Sequence, residues 1–144
     1  MTDEDHYRKL ERMYAAAPVS RWYGIRVIVS DGEAEVRLPV RPEFLHAAHA
    51  VHGSVYFRAL DDAAFFAANS KVRDVFVLTV SFTVSLVRPV SDGELRAVGR
   101  VLHGGGRLFL AESTLFDGAG ELLGRGSGVF ARSSIPLEPS IGYA

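Results

Sequence analysis

The chain has 144 residues, of which 48% are hydrophobic and 23% are charged, so it is long enough and apolar enough to form one domain with a sizeable core. This balance excludes a disordered protein. The 16 basic and 17 acidic side chains give a formal net charge of -1, so the chain lacks the basic excess of a nucleic-acid-binding protein. Since there is no cysteine, disulfides, thiolate nucleophiles and cysteine-ligated zinc sites are also excluded.

The N-terminal residues and the hydropathy pattern carry no targeting or membrane signal. The opening sequence MTDEDHYRKLERMY is highly charged and lacks the apolar run of a signal peptide. No run of about 18 apolar residues, the length that a membrane-spanning helix needs, occurs in the chain. We therefore expect a cytoplasmic protein that binds neither membranes nor nucleic acid.

Residues 1–20 are predicted to form an N-terminal helical segment. The acidic residues at positions 3–5 suit the positive end of a helix dipole, and apolar residues such as Leu10 and Tyr14 follow at helical spacing. Pro18 is expected to end this helix, because the residue before a proline avoids the helical conformation.

Residues 54–70 form the clearest helix candidate of the sequence. No proline or glycine interrupts them, and their apolar side chains cover every side of the helix rather than one stripe. A helix of this kind is buried inside its domain. The polar exceptions in its interior are Arg58, Asp61 and Asp62.

Strands are predicted both before and after this central helix. In the longest of them, apolar side chains alternate with serine and threonine without interruption, as in a half-buried strand. Turn-forming residues separate the strands, and residues 41–51 are expected to form a loop. The predicted strands cover residues 25–29, 34–40, 76–87, 95–103, 108–116 and 122–131.

The order of these elements predicts an α+β fold, in which an antiparallel sheet of five to six strands wraps around the helix at about 54–70. The regular alternation of strands and helices in a doubly wound fold is missing. Residues 1–144 are interpreted as a single domain, with its core over residues 24–131. Residues 133–144 are expected to form a loosely ordered tail.

Asp61 is the first candidate for catalysis. It lies in the middle of the apolar helix, where an unpaired buried carboxylate costs on the order of several kcal/mol. Two simpler explanations stay open at this point. Asp61 or Asp62 can face solvent along a narrow polar edge, and Arg58 can pair with either of them, at a spacing of three or four residues.

His52, Gly53 and Ser54 stand at the start of the same helix. Ser54 is the expected N-cap. A helix start presents unpaired amide N–H groups that can stabilise a developing negative charge, and Gly53 lets a ligand approach the backbone closely. The alternative is an ordinary glycine–serine helix start with His52 packed on the loop.

The spacing of these two candidate groups predicts a dimer. Gly53 and Asp61 are eight residues apart, which is about 12 Å along a helix. One reacting carbonyl cannot touch both groups within one chain. If both act on the same substrate, two chains must supply them, and the sites then lie at the interface.

Further histidines and arginines are candidate ligand-binding groups. His46, His49 and His52 recur every three residues, but the stretch is loop-like and lacks the adjacent glutamate of a His-Glu-x-x-His zinc motif. Isolated loop histidines explain this pattern better than a metal-dependent hydrolase, which is kept as an alternative. Arg88 and Arg107 stand at turns, where they can either meet an anionic ligand or remain solvated.

Taken together, these motifs resemble a known family over residues 24–131. Their order and spacing are similar to those of the PaaI-like branch of the hotdog-fold thioesterases, in the 4-hydroxybenzoyl-CoA thioesterase superfamily. The family pattern is His-Gly-Gly, followed after six residues by an acidic residue in an apolar helix. The matching segments are His52-Gly53-Ser54, Leu60-Asp61-Asp62-Ala63, Ala67–Ser70, Arg88–Gly93, His103–Arg107 and Phe116–Gly120.

The resemblance implies a hotdog fold, two subunits with joined sheets, and dimers that often pair into tetramers. It implies hydrolysis of a small or medium acyl- or aryl-CoA thioester without a metal or other cofactor. Asp61 would be the base or nucleophile, Gly53 of the partner subunit would polarise the carbonyl through its amide, and His52 would hold the thioester end. The residues expected to bind the substrate are His46, Ser54, Phe65, Arg88 and Arg107.

Four positions depart from the family pattern and motivate an alternative. Ser54 replaces the second glycine, His46 replaces an Asn or Gln, His49 replaces a glycine, and Phe65 replaces a Ser or Thr that positions water in some members. A non-catalytic acyl-CoA or lipid-binding protein of the same fold is therefore the alternative function. A hotdog dehydratase is disfavoured, because its Asp-x-Asn-Pro signature is absent.

Overall fold

The computed structural model describes all 144 residues as two N-terminal helices, a central helix and six strands. Short 3-10 turns over Pro42–Phe44 and Pro139–Ile141 complete the regular structure. No helix has both the length and the apolar character needed to cross a membrane. The bounds are α1 Asp3–Ala16, α2 Pro18–Tyr23, β1 Arg26–Ser30, β2 Glu33–Pro39, α3 Gly53–Asn69, β3 Val75–Leu86, β4 Glu94–His103, β5 Leu108–Phe116 and β6 Leu122–Pro136.

The six strands form one antiparallel sheet in the order β1-β2-β4-β5-β6-β3. The helix α3 lies across one face of this sheet and contacts all six strands. The predicted α+β hotdog architecture, with one central helix and an extra N-terminal helix, is therefore confirmed. The helix begins at Gly53, one residue before the predicted start, and a single cluster of 32 buried apolar residues surrounds it.

A glycine in β4 sets how closely the sheet approaches α3. A Cβ atom added at Gly99 would lie 2.2 Å from the carbonyl oxygen of Ala63 in the helix backbone. This distance is far below van der Waals contact, so only glycine allows the observed spacing of strand and helix. Ala63 directly follows Asp61 and Asp62, which we call the acidic pair. The contact at Gly99 therefore also fixes how deeply the acidic pair lies in the protein.

The N-terminal segment forms two helices rather than one. Pro18 ends α1 as predicted, but it also occupies the first turn of α2, where its missing N–H costs nothing. His6 of α1 is fully buried against the end of α3. It donates from Nε2 to the carbonyl of Asn69 at 3.0 Å and accepts at Nδ1 from the Tyr143 hydroxyl at 2.7 Å. Burial lowers the pKa of His6.

The C-terminal residues are ordered, which corrects the expected loose tail over residues 133–144. Strand β6 continues to Pro136, and the Leu137 amide donates to the carbonyl of Asp74 at 3.0 Å. Tyr143 is only 5% exposed, because its ring and hydroxyl pack against His6. The segment is ordered because a histidine that is distant in the sequence binds it.

Strand β3 forms one edge of the sheet and is more exposed than its alternating pattern predicted. A register shift between Thr79 and Ser81 interrupts its pairing with β6 and changes which side chains face the helix. Only Val77 is buried in the whole strand, whereas Leu78 and Val80 are 45% and 62% exposed. The protomer thus presents an apolar strand with an unpaired backbone edge.

Candidate functional site

Asp61 lies in the wall of a cavity of about 410 Å³ between α3, β3 and the N-terminal helices. We call this space the Asp61 cavity. Most of its lining is apolar, and Phe65, one of the predicted substrate-binding residues, lies one turn further along the same helix in its wall. The aromatic and large aliphatic lining residues are Met13, Tyr14, Val19, Phe65, Phe66, Phe76 and Leu78.

The environment of Asp61 raises its pKa to about 6. Burial is the main cause, and the neighbouring Asp62 adds to it. The Thr79 hydroxyl opposes this shift, because it donates to Oδ1 of Asp61 at 3.0 Å and so stabilises the carboxylate. Asp61 is thus a carboxyl group that changes its charge close to neutral pH, as a general base requires.

Asp62 has a different environment from its neighbour. Its Oδ2 atom accepts from Arg58 Nε and, at 2.5 Å, from the Tyr14 hydroxyl of α1. Burial raises the pKa of Asp62, and the two donors oppose that rise. The sequence left open which carboxylate pairs with Arg58, and the structure shows that it is Asp62.

The helix start is capped by His52, which corrects the expected Ser54 cap. The Nδ1 atom of His52 accepts from the Ser54 amide at 3.1 Å and lies 2.8 Å from the Ser54 hydroxyl. Because an amide can only donate, Nδ1 carries no proton in this arrangement. The proton of neutral His52 is therefore on Nε2, where it can donate to another group.

Gly53 lines a second cavity, of about 360 Å³, which we call the Gly53 cavity. His46 and Arg88, two of the predicted substrate-binding residues, line the same cavity. The Arg88 guanidinium is exposed and pairs with Glu121 at 3.4 Å. The structure thus brings these residues together at the N-terminal end of α3.

Within one protomer, the structure separates the Gly53 cavity from the Asp61 cavity. The two share no lining residue, and Gly53 and Asp61 lie two turns apart on the same helix. Arg107, which was also predicted to bind substrate, is exposed in the loop between β4 and β5 and lines neither cavity.

The three loop histidines do not form a metal site in the structure. The rings of His46 and His52 lie 6.5 Å apart, while the His52 ring nitrogen Nδ1 serves the helix cap. No group of three or more His, Cys, Asp or Glu side chains is placed so that it could hold a metal ion. The geometry therefore does not support the metal-dependent alternative.

Two residues of the site were missed by the sequence analysis. Thr79 is one of four hydroxyl residues in the alternating strand, and nothing in its local sequence distinguishes it from Ser81, Thr83 or Ser85. Tyr14 was assigned only to an apolar stripe. Both contact the acidic pair of α3 from distant parts of the chain.

A larger cavity, of about 520 Å³, lies elsewhere, between α1 and strands β1 and β2. It contains none of the predicted site residues. Its charged lining residues are all engaged in ion pairs or backbone hydrogen bonds; they are Glu11, Arg12, Arg26, Glu35 and Arg37. The volume of a cavity therefore does not by itself identify the one that contains the candidate residues.

Comparison with known proteins identifies the family of the chain. A family model described as "Thioesterase superfamily" matches residues 48–123, which include the acidic pair and the helix start. A candidate esterase of Mycobacterium tuberculosis is 32% identical over 97 residues, 65% of this chain and 69% of that protein. A candidate esterase of Thermoplasma volcanium is 26% identical over 102 residues, 71% of this chain and 77% of that protein.

Solved structures show the same fold. A conserved protein of Pseudomonas aeruginosa superposes with a TM-score of 0.79 at 30% identity, covering 85% of this chain and 98% of that one. The PaaI protein of the Escherichia coli phenylacetic acid degradation operon superposes with a TM-score of 0.84 at 20% identity, covering 94% of this chain and 99% of that one. Membership of this family supports thioester hydrolase activity. The chain belongs to the thioesterase superfamily and has its hotdog fold.

Proposed function

We propose that this protein is an acyl-CoA thioesterase that hydrolyses a small or medium acyl- or aryl-CoA, with Asp61 as base or nucleophile. The observation that carries the proposal is a carboxyl group with a pKa of about 6 in the wall of an apolar cavity. The aromatic lining suits the acyl part of a substrate, and Asp61 is one of the few polar residues that line the cavity.

The chemistry needs one carboxylate and one donor to the carbonyl oxygen. Asp61 takes a proton from water as the water oxygen adds to the thioester carbon, or Asp61 itself adds to that carbon. The resulting oxyanion collapses and expels the CoA thiolate. In the first route the proton held by Asp61 passes to the thiolate. In the second route the acyl group stays on Asp61 as a mixed anhydride, and water hydrolyses it to the free acid, which restores the carboxylate and supplies the proton for the thiolate. Thr79 keeps the Asp61 carboxylate oriented through its hydrogen bond, in place of the hydroxyl residue that Phe65 replaces.

The donor to the oxyanion is assigned to the amide of Gly53 of the partner subunit. This amide is at the N-terminus of α3, where no helical carbonyl accepts from it. A preorganised donor of this kind typically contributes about 3–4 kcal/mol to the stabilisation of the transition state. The Nε2–H group of His52 is next to it and is assigned to hold the thioester end.

Strand β3 explains how two chains would build one site. Thr79 contacts Asp61 near the start of β3, while Leu86 at its other end would lie 3.0 Å from a Cβ atom added at Gly53. If two β3 strands pair antiparallel, the end of one strand lies beside the start of the other. This pairing brings Gly53 of the partner subunit toward Asp61, and it covers the exposed Leu78 and Val80.

We further propose that such dimers can pair into tetramers and that the protein is cytoplasmic. The remaining predicted residues are assigned to the substrate. His46, Ser54 and Arg88 lie at the N-terminal end of α3, where the CoA part would extend from the carbonyl. Arg107 is assigned to the substrate as an exposed loop residue that an anionic group can reach.

The first test is thiol release from a panel of aryl- and fatty acyl-CoA thioesters by the wild type and by Asp61→Asn. We expect turnover by the wild type and its loss in the variant, because an amide cannot act as a base. Asp117→Asn, which changes an aspartate in the β5–β6 turn, is the matched control. Binding without turnover across the panel would contradict the proposal and favour the non-catalytic acyl-CoA-binding alternative.

The second test addresses the shared site. Gly53→Pro removes the amide N–H but suits the first helical position, and His52 already has the extended backbone that precedes proline, with φ -63° and ψ 141°. We expect a loss of kcat of about 10²–10³. Gly53→Ala adds the Cβ but keeps the amide, so it separates crowding from loss of the donor.

Mixing the two inactive variants tests whether two chains supply one site. A mixed dimer of Asp61→Asn and Gly53→Pro subunits contains one intact pair, Asp61 of one chain and Gly53 of the other. Random exchange should therefore restore about one quarter of wild-type activity. If the mixture stays inactive although sedimentation shows mixed dimers, both groups act within one chain and the proposed geometry is wrong.

A further inference from the structure

The acidic pair Asp61-Asp62 shares one possible cationic partner, Arg58. Along α3, Arg58 is three residues from Asp61 and four from Asp62, and both spacings place side chains within reach on a helix surface. The structure shows the guanidinium bonded to Asp62 and not to Asp61. Asp61 has only the neutral Thr79 hydroxyl as its partner.

The N-terminal helices select this pairing. Tyr14 of α1 donates its hydroxyl to the same Asp62 oxygen that Arg58 contacts. The guanidinium carbon of Arg58 also lies 4.8 Å from the ring centre of Tyr23 and 5.7 Å from that of Tyr14. These rings hold the cation on the Asp62 side, and Ser20 of α2 lies 3.4 Å from its Nη2 atom.

We propose that Asp62, together with Tyr14, is a positioning residue that keeps Arg58 from pairing with Asp61 and so leaves Asp61 free to act on the substrate. This inference rests on the proposed role of Asp61. A guanidinium bonded to Asp61 would occupy the lone pairs that must accept a proton or attack carbon. Arg58 already lines the cavity, and this pairing would move its charged group onto the carboxylate next to which the acyl part is expected.

Few groups face the acidic pair, so the effect of each group on the pKa of Asp61 can be tested separately. Burial and Asp62 raise the pKa of Asp61, while Thr79 and Arg58 lower it. No other charged side chain contributes to this shift. The groups concerned are Tyr14 from α1, Ser20 and Tyr23 from α2, Arg58 from α3 and Thr79 from β3.

The experiment compares Asp62→Asn with the double variant Arg58→Met/Asp62→Asn. In the single variant, Arg58 loses its carboxylate partner and is expected to turn to Asp61. An opposite charge at close range lowers a carboxyl pKa by about one to three units. The acidic limb of the kcat/KM profile should therefore move to lower pH by that amount, and kcat above the limb should fall about tenfold, because a paired carboxylate is a weaker base.

The double variant distinguishes this effect from a simple loss of the Asp62 charge. Without Arg58 there is no cation to pair with Asp61, so the limb and kcat should return toward the wild-type values. If only the negative charge of Asp62 mattered, the double variant would behave like the single one. That result, or an unchanged profile in Asp62→Asn, would overturn the proposal.

Two further measurements keep the proposal testable if Asp62→Asn folds poorly or if the protein turns over no substrate. Tyr14→Phe removes one hydroxyl, retains the ring, and should shift the limb in the same direction by a smaller amount. The Asp61 carboxyl carbon can be titrated by ¹³C NMR, with Asp61→Asn used for assignment. This midpoint should fall in Asp62→Asn and return toward the wild-type value in Arg58→Met/Asp62→Asn even if no substrate is turned over, so the comparison tests the pairing independently of catalysis. Glu35→Gln, in an ion pair on β2, is the control.

Discussion

The hydrogen bond from Thr79 to Asp61 gives the sharpest prediction about the pH dependence of the reaction. The wild-type kcat/KM should rise with pH through a midpoint of about 6, because Asp61 must be ionised to act. In Thr79→Val the carboxylate loses its only side-chain donor. Loss of that donor destabilises the charged form, so the midpoint should move upward.

The size of this shift follows from the exposure of the donor. A hydrogen bond to a charged group contributes about 1.5–3 kcal/mol, and the lower end applies because Thr79 is exposed in the protomer. That value corresponds to about one pH unit. At pH 6 the ionised fraction of Asp61 would then fall from about one half to about one tenth, which reduces kcat/KM about fivefold.

The assay is the pH profile of thiol release at low substrate concentration for the wild type, Thr79→Val and Thr79→Ser. Thr79→Ser keeps the hydroxyl and should retain a midpoint of about 6. Thr83→Val alters another exposed threonine of β3 and serves as the control for changes in the edge strand. A midpoint in Thr79→Val that stays in place or moves to lower pH would refute the reasoning.

Four other predictions follow from separate features of the molecule. Gly99→Ala should lower the free energy of unfolding by about 3 kcal/mol in a denaturant titration, because its Cβ meets the Ala63 carbonyl, whereas Gly118→Ala, with open space around it, should not. The folded-state pKa of His6 lies below its unfolded value, so the unfolded chain binds more protons and the free energy of unfolding should fall below about pH 6.5; His6→Gln should flatten this dependence. Val80→Lys should shift the protein toward monomer in sedimentation velocity if β3 forms the dimer edge, while Lys at the distant exposed Ile28 should not. Thiol release should survive treatment with a metal chelator, and a loss that zinc restores would revive the histidine-based alternative.

The fold was predictable because its determinants are local or periodic. An uninterrupted helix that is apolar on all sides can only be buried, and six strand patterns around it leave a wrapped antiparallel sheet as the simplest arrangement. The acidic pair could be singled out for the same reason, since charge inside such a helix requires an explanation.

The division of roles within the site could not be predicted, because it depends on residues distant in sequence. Asp61 and Asp62 are adjacent and chemically identical. They are distinguished by Thr79, 18 residues away, and by Tyr14, 48 residues from Asp62. The prediction of Ser54 as the helix cap was wrong for a related reason. The acceptor at the helix start is the ring nitrogen of His52 and not the Ser54 hydroxyl, and composition does not reveal which of the two serves.

The hydrogen bond between His6 and Tyr143 has a consequence for the order of folding. It joins residues 137 positions apart, so the entropy of closing almost the whole chain must be overcome before it forms. Long-range contacts of this kind form late. Because His6 anchors α1, and α1 supplies Met13 and Tyr14 to the Asp61 cavity, we expect that wall to be completed only after the last strand has joined the sheet. During synthesis, the chain would acquire its sheet first and a finished cavity last.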